Sequence, residues 1–246
     1  MRETRRAVQA AFAFLTTFPV PSETLTAEDF ARAARWFPLV GLVLGGMLGG
    51  LAWLFAPHVP ALLGSALVLT VWIAATGALH HDGFADCADA LLAPVPPERR
   101  LEILRDTHVG AFALVAVPLT LLLAWSALAV LWASPMLPRV LVAAPFCGRL
   151  VMLWAQFHWR YARPQGMGRL VAPRATDRVW VVGWALALVL LGPTVALVGA
   201  AACLWGHWLA GRMAARLGGG LTGDTYGALN VLVETAVLVG AALVLA

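Results

Sequence analysis

The sequence predicts an all-α, polytopic membrane helix bundle of about seven spans with a cytoplasmic N-terminus. Of its 246 residues 61% are apolar and only 12% charged, with mean hydropathy +0.82, whereas an ordinary soluble domain carries about 25% charged residues. Stretches able to cross a ~30 Å hydrocarbon core, which takes about 20 apolar residues, recur along the whole chain. The 17 basic residues are all arginine, and nearly all fall in alternate interspan segments.

In chain order, residues 1–35 form an interfacial segment: an apolar run over 8–20 ends at Pro21 and a polar stretch without a small-residue cleavage site, so an amphipathic helix at the membrane surface is expected, not a signal peptide, with Arg2, Arg5 and Arg6 at the headgroups. Spans are expected over 36–57, 60–79, 110–133, 139–157, 179–192, 194–211 and 228–246. The fifth and sixth are separated only by the turn signal Gly192-Pro193. Seven spans with the N-terminus inside place fifteen arginines in the cytoplasm, Arg139 outside and Arg149 within a span; merging the pair at Gly192 would send Arg212 and Arg216 to the other face. The interspan segments on the arginine-rich side are 80–109, 158–178 and 212–227. Within the first, 85–108 is amphipathic, broken at Pro94, Pro96 and Pro97, and is expected to close over the carboxylates beside it. Scattered arginines exclude a nucleic-acid footprint, and Cys87, Cys147 and Cys203, without pairing or ligand spacing, read as reduced core residues.

Six carboxylates interrupt this apolar pattern. A charge within a span costs about 3 kcal/mol on insertion scales, so their positions matter. Asp82, Asp86 and Asp89 in HHDGFADCAD stand at i, i+4 and i+7 on one helix face. A helix start accounts for one or two acidic residues through the macrodipole; three on a face, with Gly83 leaving room for an anion, point to a divalent cation, and oxygen-only donors favour magnesium or manganese over zinc. Asp224 lies in the glycine-rich GGGLTGDTYGA, at the mouth of the last span. That segment reads either as a capped turn or, with Gly223, as a phosphate cradle. Glu234 sits deeper in the last span and needs a partner, for which Arg149 is the countercharge. Asp106 in RDTHVG either caps the next span or joins the site. Arg160, Arg163 and Arg169 in WRYARPQGMGRL are positive-inside residues or a diphosphate clamp. His80 and His81 offer an acid, a base or a hydrogen-bond donor; His58 and His207 read as structural.

Four motifs in order, TGALHHDGFADCADAL, RDTHVGAFAL, YARPQGMG and GGLTGDTYGALNVLVETAVL, resemble the cobalamin synthase family, whose members are adenosylcobinamide-GDP ribazoletransferases, across nearly the whole chain. The resemblance carries functional expectations onto His80, Asp82, Gly83, Asp86 and Asp89, onto Asp106 and Gly110, onto Arg163, Pro164 and Gly166, and onto Gly223, Asp224, Gly227 and Glu234. The chain departs from the family pattern at His81, Ala90 and Val231, where leucine, glycine and glutamate are usual, and Val231 removes a carboxylate that could serve a second metal on the last span.

What the resemblance implies is a magnesium-dependent transfer, at the cytoplasmic face of a bacterial inner membrane, that joins adenosylcobinamide-GDP to α-ribazole or its 5′-phosphate and releases GMP. Asp82, Asp86, Asp89 and Asp224 are the expected metal ligands; Asp82, Asp86 and His80 the catalytic groups; Arg163, Arg149, Gly83, Gly166, Gly223, Asp106 and Glu234 the substrate contacts. The expected partners are those small molecules and membrane lipid, with no nucleic acid; a second copy of the chain or other enzymes of the pathway stay open. Two alternatives keep different chemistry. A membrane CDP-alcohol phosphotransferase also uses spaced aspartates near an Asp-Gly pair, but requires an arginine soon after that pair, in the neighbourhood Asp86 occupies, and a fourth aspartate at a fixed distance; an ion-coupled transporter would concentrate carboxylates near the midplane, not at one face.

Overall fold

The computed structural model describes residues 2–21, 24–163, 171 and 178–245. Its helices are α1 (Arg2–Leu15), α2 (Ala27–Ala31), α3 (Phe37–Phe55), α4 (Ala61–Ala75), α5 (Leu79–Leu92), α6 (Pro97–Ile103), α7 (Ala111–Leu131), α8 (Leu137–His158), α9 (Arg178–Ala187, continued as a 3-10 turn to Leu191), α10 (Pro193–Arg216) and α11 (Gly223–Leu245). Two short strands, β1 (Arg160–Tyr161) and β2 (Gly220–Leu221), pair in parallel. All-α architecture is thus what the apolar pattern builds.

Each expected apolar stretch is a helix, but among the described residues only five are long and apolar enough to cross a membrane alone: Ala34–Phe55, α7, α8, α10 and α11. The count becomes six when α4 and α5 are taken as one bent span. Two of the seven expected spans are short helices, so length and composition by themselves give five or six among the described residues. At 15 residues α4 reaches about 22 Å, because left-handed Gly77 and Ala78 stop it and turn the chain by 89° into α5. The second is Val179–Leu191, ended by Gly192. The Gly192-Pro193 break is real: Gly192, at φ +93°, caps α10 and Pro193 opens it.

α8 runs through the centre. Its residues from Ala143 to Leu153 are all buried, while leucines on α7, α10 and α11 face outward where lipid would lie. α3 meets α8 through Gly41, Gly45 and Gly49, and a Cβ at Gly45 would stand 2.6 Å from the Leu141 carbonyl oxygen. Pro145 removes the amide that would bond that oxygen, so α3 approaches a helix whose own ladder is interrupted.

At one end of the bundle the Trp132 indole donates to the Val59 carbonyl at 3.0 Å. At the other, the Thr17 amide donates to the Ala75 carbonyl at 2.9 Å, β1 joins β2, and α5 runs onto the start of α11. The arginines of the N-terminal segment do more than reach headgroups. Arg6 forks onto Asp29 at 2.8 to 3.2 Å, Arg32 reaches Glu3 at 2.9 Å, and α1 buries Ala7, Ala10, Ala11 and Leu15 against the core.

Candidate active site

Two glycines set the site. A Cβ at Gly83 would lie 2.9 Å from the Asp224 carbonyl oxygen, and one at Gly227 would lie 3.2 Å from that of His80, so the backbones of α5 and α11 touch where they meet. Gly83, expected to leave room for an anion, lines the cavity and has the Asp224 backbone on the side where a Cβ would stand. The contact brings Asp82, from the first turn of α5, and Asp224, from the first turn of α11, to one cavity of about 220 Å³.

The third charged group arrives through the small sheet. Pairing of Arg160 with Gly220 and of Tyr161 with Leu221 fixes the chain after α8 against the loop before α11. A Cβ at Gly220 would sit 2.9 Å from the Arg160 carbonyl oxygen. Arg163, two residues beyond β1, therefore reaches Asp224, Nη2 to Oδ2 3.0 Å, and donates to the Leu104 carbonyl at the end of α6 at 3.0 Å. Thr222 adds a hydroxyl hydrogen bond to Asp224 at 3.2 Å. Asp86, one turn along α5 from Asp82 and half-buried, is near enough to feel the charges of Asp224, Asp82 and Arg163 but does not line the cavity. Asp82 and Asp224 thus line the cavity together with one guanidinium, that of Arg163.

Other expected residues have different places. Asp89 turns to the next helix: its oxygens accept from the amides of Gly110 at 2.7 Å and Ala113 at 3.1 Å, capping α7. Asp106 is exposed, does not line the cavity, and binds His108 through both the backbone amide at 3.0 Å and the ring Nδ1 at 2.6 Å, contacts that hold its carboxyl below the usual range. Arg149, 0% exposed, donates to Glu234 at 2.6 Å and to the Pro145 carbonyl at 3.1 Å. This buried pair meets the expected countercharge but does not line the cavity. Gly166, with Pro164, Arg169 and Arg174, lies outside the described residues. Gly223 and His80 line the cavity as expected.

The interior of the cavity was not foreseen. Phe14 from α1, Phe37 from α3, Met152 and Gln156 from α8, and Tyr226 from α11 complete it. Gln156 carries a sequence signal of its own, since a side-chain amide within a span needs a hydrogen-bond partner. Among the described residues no three His, Cys, Asp or Glu side chains close into a metal cage. Asp82 and Asp224 are the carboxylates that line the cavity, and carboxylate oxygen is the donor type that magnesium takes.

These features define a multi-pass helical membrane protein with a carboxylate–arginine cavity where two helices start, an arrangement for handling a charged small molecule. The chain belongs to the cobalamin-5-phosphate synthase family, whose model matches residues 7–242, and is a transferase of cobalamin biosynthesis. It is 40% identical over 237 residues to the adenosylcobinamide-GDP ribazoletransferase of Deinococcus radiodurans, covering 95% of this chain and 84% of that one. It is 38% identical over 244 residues to the Desulfitobacterium hafniense enzyme of that name, covering 96% of each. With the Pseudomonas aeruginosa PAO1 enzyme the identity is 40% over 248 residues, 99% of this chain and all of the relative. No solved structure matches it significantly.

Proposed function

We propose that this chain joins adenosylcobinamide-GDP to α-ribazole, or its 5′-phosphate, and releases GMP, working at the cytoplasmic face of the bacterial inner membrane. The observation that carries the proposal is the meeting of Asp82, Asp224 and Arg163 in one cavity at the α5–α11 contact. In the reaction a ribose hydroxyl oxygen bonds to the phosphorus next to the corrinoid side chain. The bond from that phosphorus to the bridging oxygen breaks, GMP departs with the oxygen, and the hydroxyl proton is lost.

The chain's own groups divide this work by position. A carboxylate of the cluster, Asp82 foremost, accepts the hydroxyl proton. Arg163 is already held at the site by Asp224 and by the Leu104 carbonyl, so its fork needs only a small shift to meet a phosphate. Phosphoryl transfers of this kind depend on positioning and on spreading charge more than on covalent work by the protein. Asp82 and Asp224 would hold magnesium, which when bound neutralises charge on the diphosphate; Asp86, which does not line the cavity, and Asp89, committed to α7, drop from that set.

Purified protein given adenosylcobinamide-GDP, α-ribazole and magnesium should release GMP in step with the joined corrinoid, and magnesium removal should stop both. Ion-driven corrinoid uptake into vesicles without GMP release would overturn the proposal in favour of a transporter.

A further inference from the structure

A second hollow is built on α5. Asp82 and Gly83 line the catalytic cavity, whereas Phe84, Cys87, Ala88 and Leu91 line an apolar groove that α7, α10 and α11 complete. At about 330 Å³ it is larger than the catalytic cavity. Apart from two arginines its walls are aliphatic and aromatic side chains, the Cys87 thiol and the Met213 thioether. Leu92 and Trp208, which line it, are 54% and 59% exposed, so the groove opens to the outer surface of the bundle, where lipid would lie. The two arginines come from the last two turns of α10. Trp208, Arg212 and Arg216 follow at intervals of four residues, which puts an indole and two guanidiniums on one helix face. The Arg212 guanidinium carbon lies 6.0 Å from the Trp208 ring centroid. Arg216 donates to the Leu91 carbonyl near the end of α5 and keeps other N–H groups for an acceptor. Among the described residues neither arginine has a carboxylate partner.

We infer that this groove binds an anionic phospholipid, with an acyl chain against the apolar walls and the phosphate on Arg212 and Arg216. The lining selects such an occupant. A chain of methylenes carries no polar group into the groove, whereas a peptide or a polar metabolite would leave amides or hydroxyls against walls that offer them no partner. The arginine forks match phosphate oxygens, and basic pockets between membrane helices are where acidic headgroups bind. Tryptophan beside arginine is the pairing of residue types that lies at headgroup level. The charge also decides between lipids. Two guanidiniums without carboxylate partners attract a net negative headgroup, while a zwitterionic one brings a cation of its own that they repel. The bound lipid packs on the helix that carries Asp82 without entering the catalytic cavity. The inference therefore stands apart from the proposed reaction.

The test uses the full-length protein in neutral detergent with equal amounts of dioleoylphosphatidylglycerol and dioleoylphosphatidylcholine. Native mass spectrometry then reads which lipid stays bound. The wild-type protein, which involves no folding risk, is expected to retain phosphatidylglycerol over phosphatidylcholine at least fivefold. Arg212→Gln should cut that preference below twofold with the melting temperature unchanged. Arg99→Gln alters an exposed arginine of α6 that does not line the groove, and should keep the preference. Ala116→Phe sets a ring into the groove and should lower retention of both lipids at least fivefold. Equal retention of the two lipids by the wild-type protein would overturn the inference, and so would retention of neither, which would leave the groove to an apolar surface of another protein. Equal losses in Arg99→Gln and Arg212→Gln would overturn it by showing a general attraction to the arginines. Undiminished retention by a folded Ala116→Phe protein would put the lipid elsewhere and overturn it as well.

Discussion

At the scale of single residues, identical chemistry meets different fates within one helix. Asp82, Asp86 and Asp89 share a face, yet a helix rises about 1.5 Å per residue, so seven residues separate Asp82 from Asp89 by about 10 Å along the axis. Angular agreement was legible in the sequence. Axial distance put Asp89 at the start of α7 and Asp82 at the start of α11. Arg149 and Glu234 were legible as a pair because each is intolerable alone in a span, and they meet at 2.6 Å. Glu234→Gln leaves Arg149 buried without its countercharge, and breaking such a pair costs about 3–5 kcal/mol. A fall in melting temperature and in yield of folded protein is expected. Adding Arg149→Met should recover much of the loss, since an apolar replacement of both charges is often neutral; a single variant as stable as wild type would show the pair to be dispensable.

At the scale of elements, helix–helix contacts rest on glycine positions that hydropathy does not weigh. Gly41, Gly45 and Gly49 repeat every four residues, a small-residue stripe visible in the sequence but not used in placing the spans. Gly45→Val would drive side-chain atoms into the Leu141 carbonyl and should strongly reduce folded protein, whereas Gly46→Val, with nothing within 4 Å of its Cβ, should be tolerated. Equal effects in a melting assay would dismiss the close packing of α3 on α8. The N-terminal elements carry a pH response. Arg6 and Thr26 hold the Asp29 carboxyl well below its usual range. A depressed folded value means that the stabilisation is full above the ordinary carboxylate pKa of about 4 and is lost as pH falls below it. Protection of the α1 amides, as the exchange rate relative to the intrinsic rate at each pH, should therefore fall as the pH drops from about 5 toward 2. In Asp29→Asn the protection should be low already at pH 6 and little changed by acid. The strand pair β1–β2 left no sequence signal, because two residues of parallel pairing have no periodicity to detect; it is nonetheless what leads Arg163 to Asp224.

At the scale of the molecule, the apolar stretches and the arginine distribution gave the all-α bundle and the grouping of the charged segments, while the number of full-length spans depended on where left-handed residues end α4. α5, the sheet and the starts of α7 and α11 gather at one end of the bundle, and the turns near Val59 and Trp132 at the other. With that first end cytoplasmic, cysteine introduced at Glu98 should resist a membrane-impermeant maleimide in intact cells, and cysteine at Ala133 should react. The three native cysteines are buried and add little background. The reverse pattern would put the cavity on the wrong side for nucleotide substrates. The most direct test of the site compares two aspartates of one helix in the GMP-release assay. Asp82→Ala is expected to lose at least a hundredfold in turnover with an unchanged melting temperature. Asp89→Ala is expected to melt earlier, by about 1 kcal/mol of lost capping, and to keep most of its turnover. Near-normal GMP release by Asp82→Ala would contradict the assignment of the α5–α11 cavity as the place where the diphosphate bond is broken.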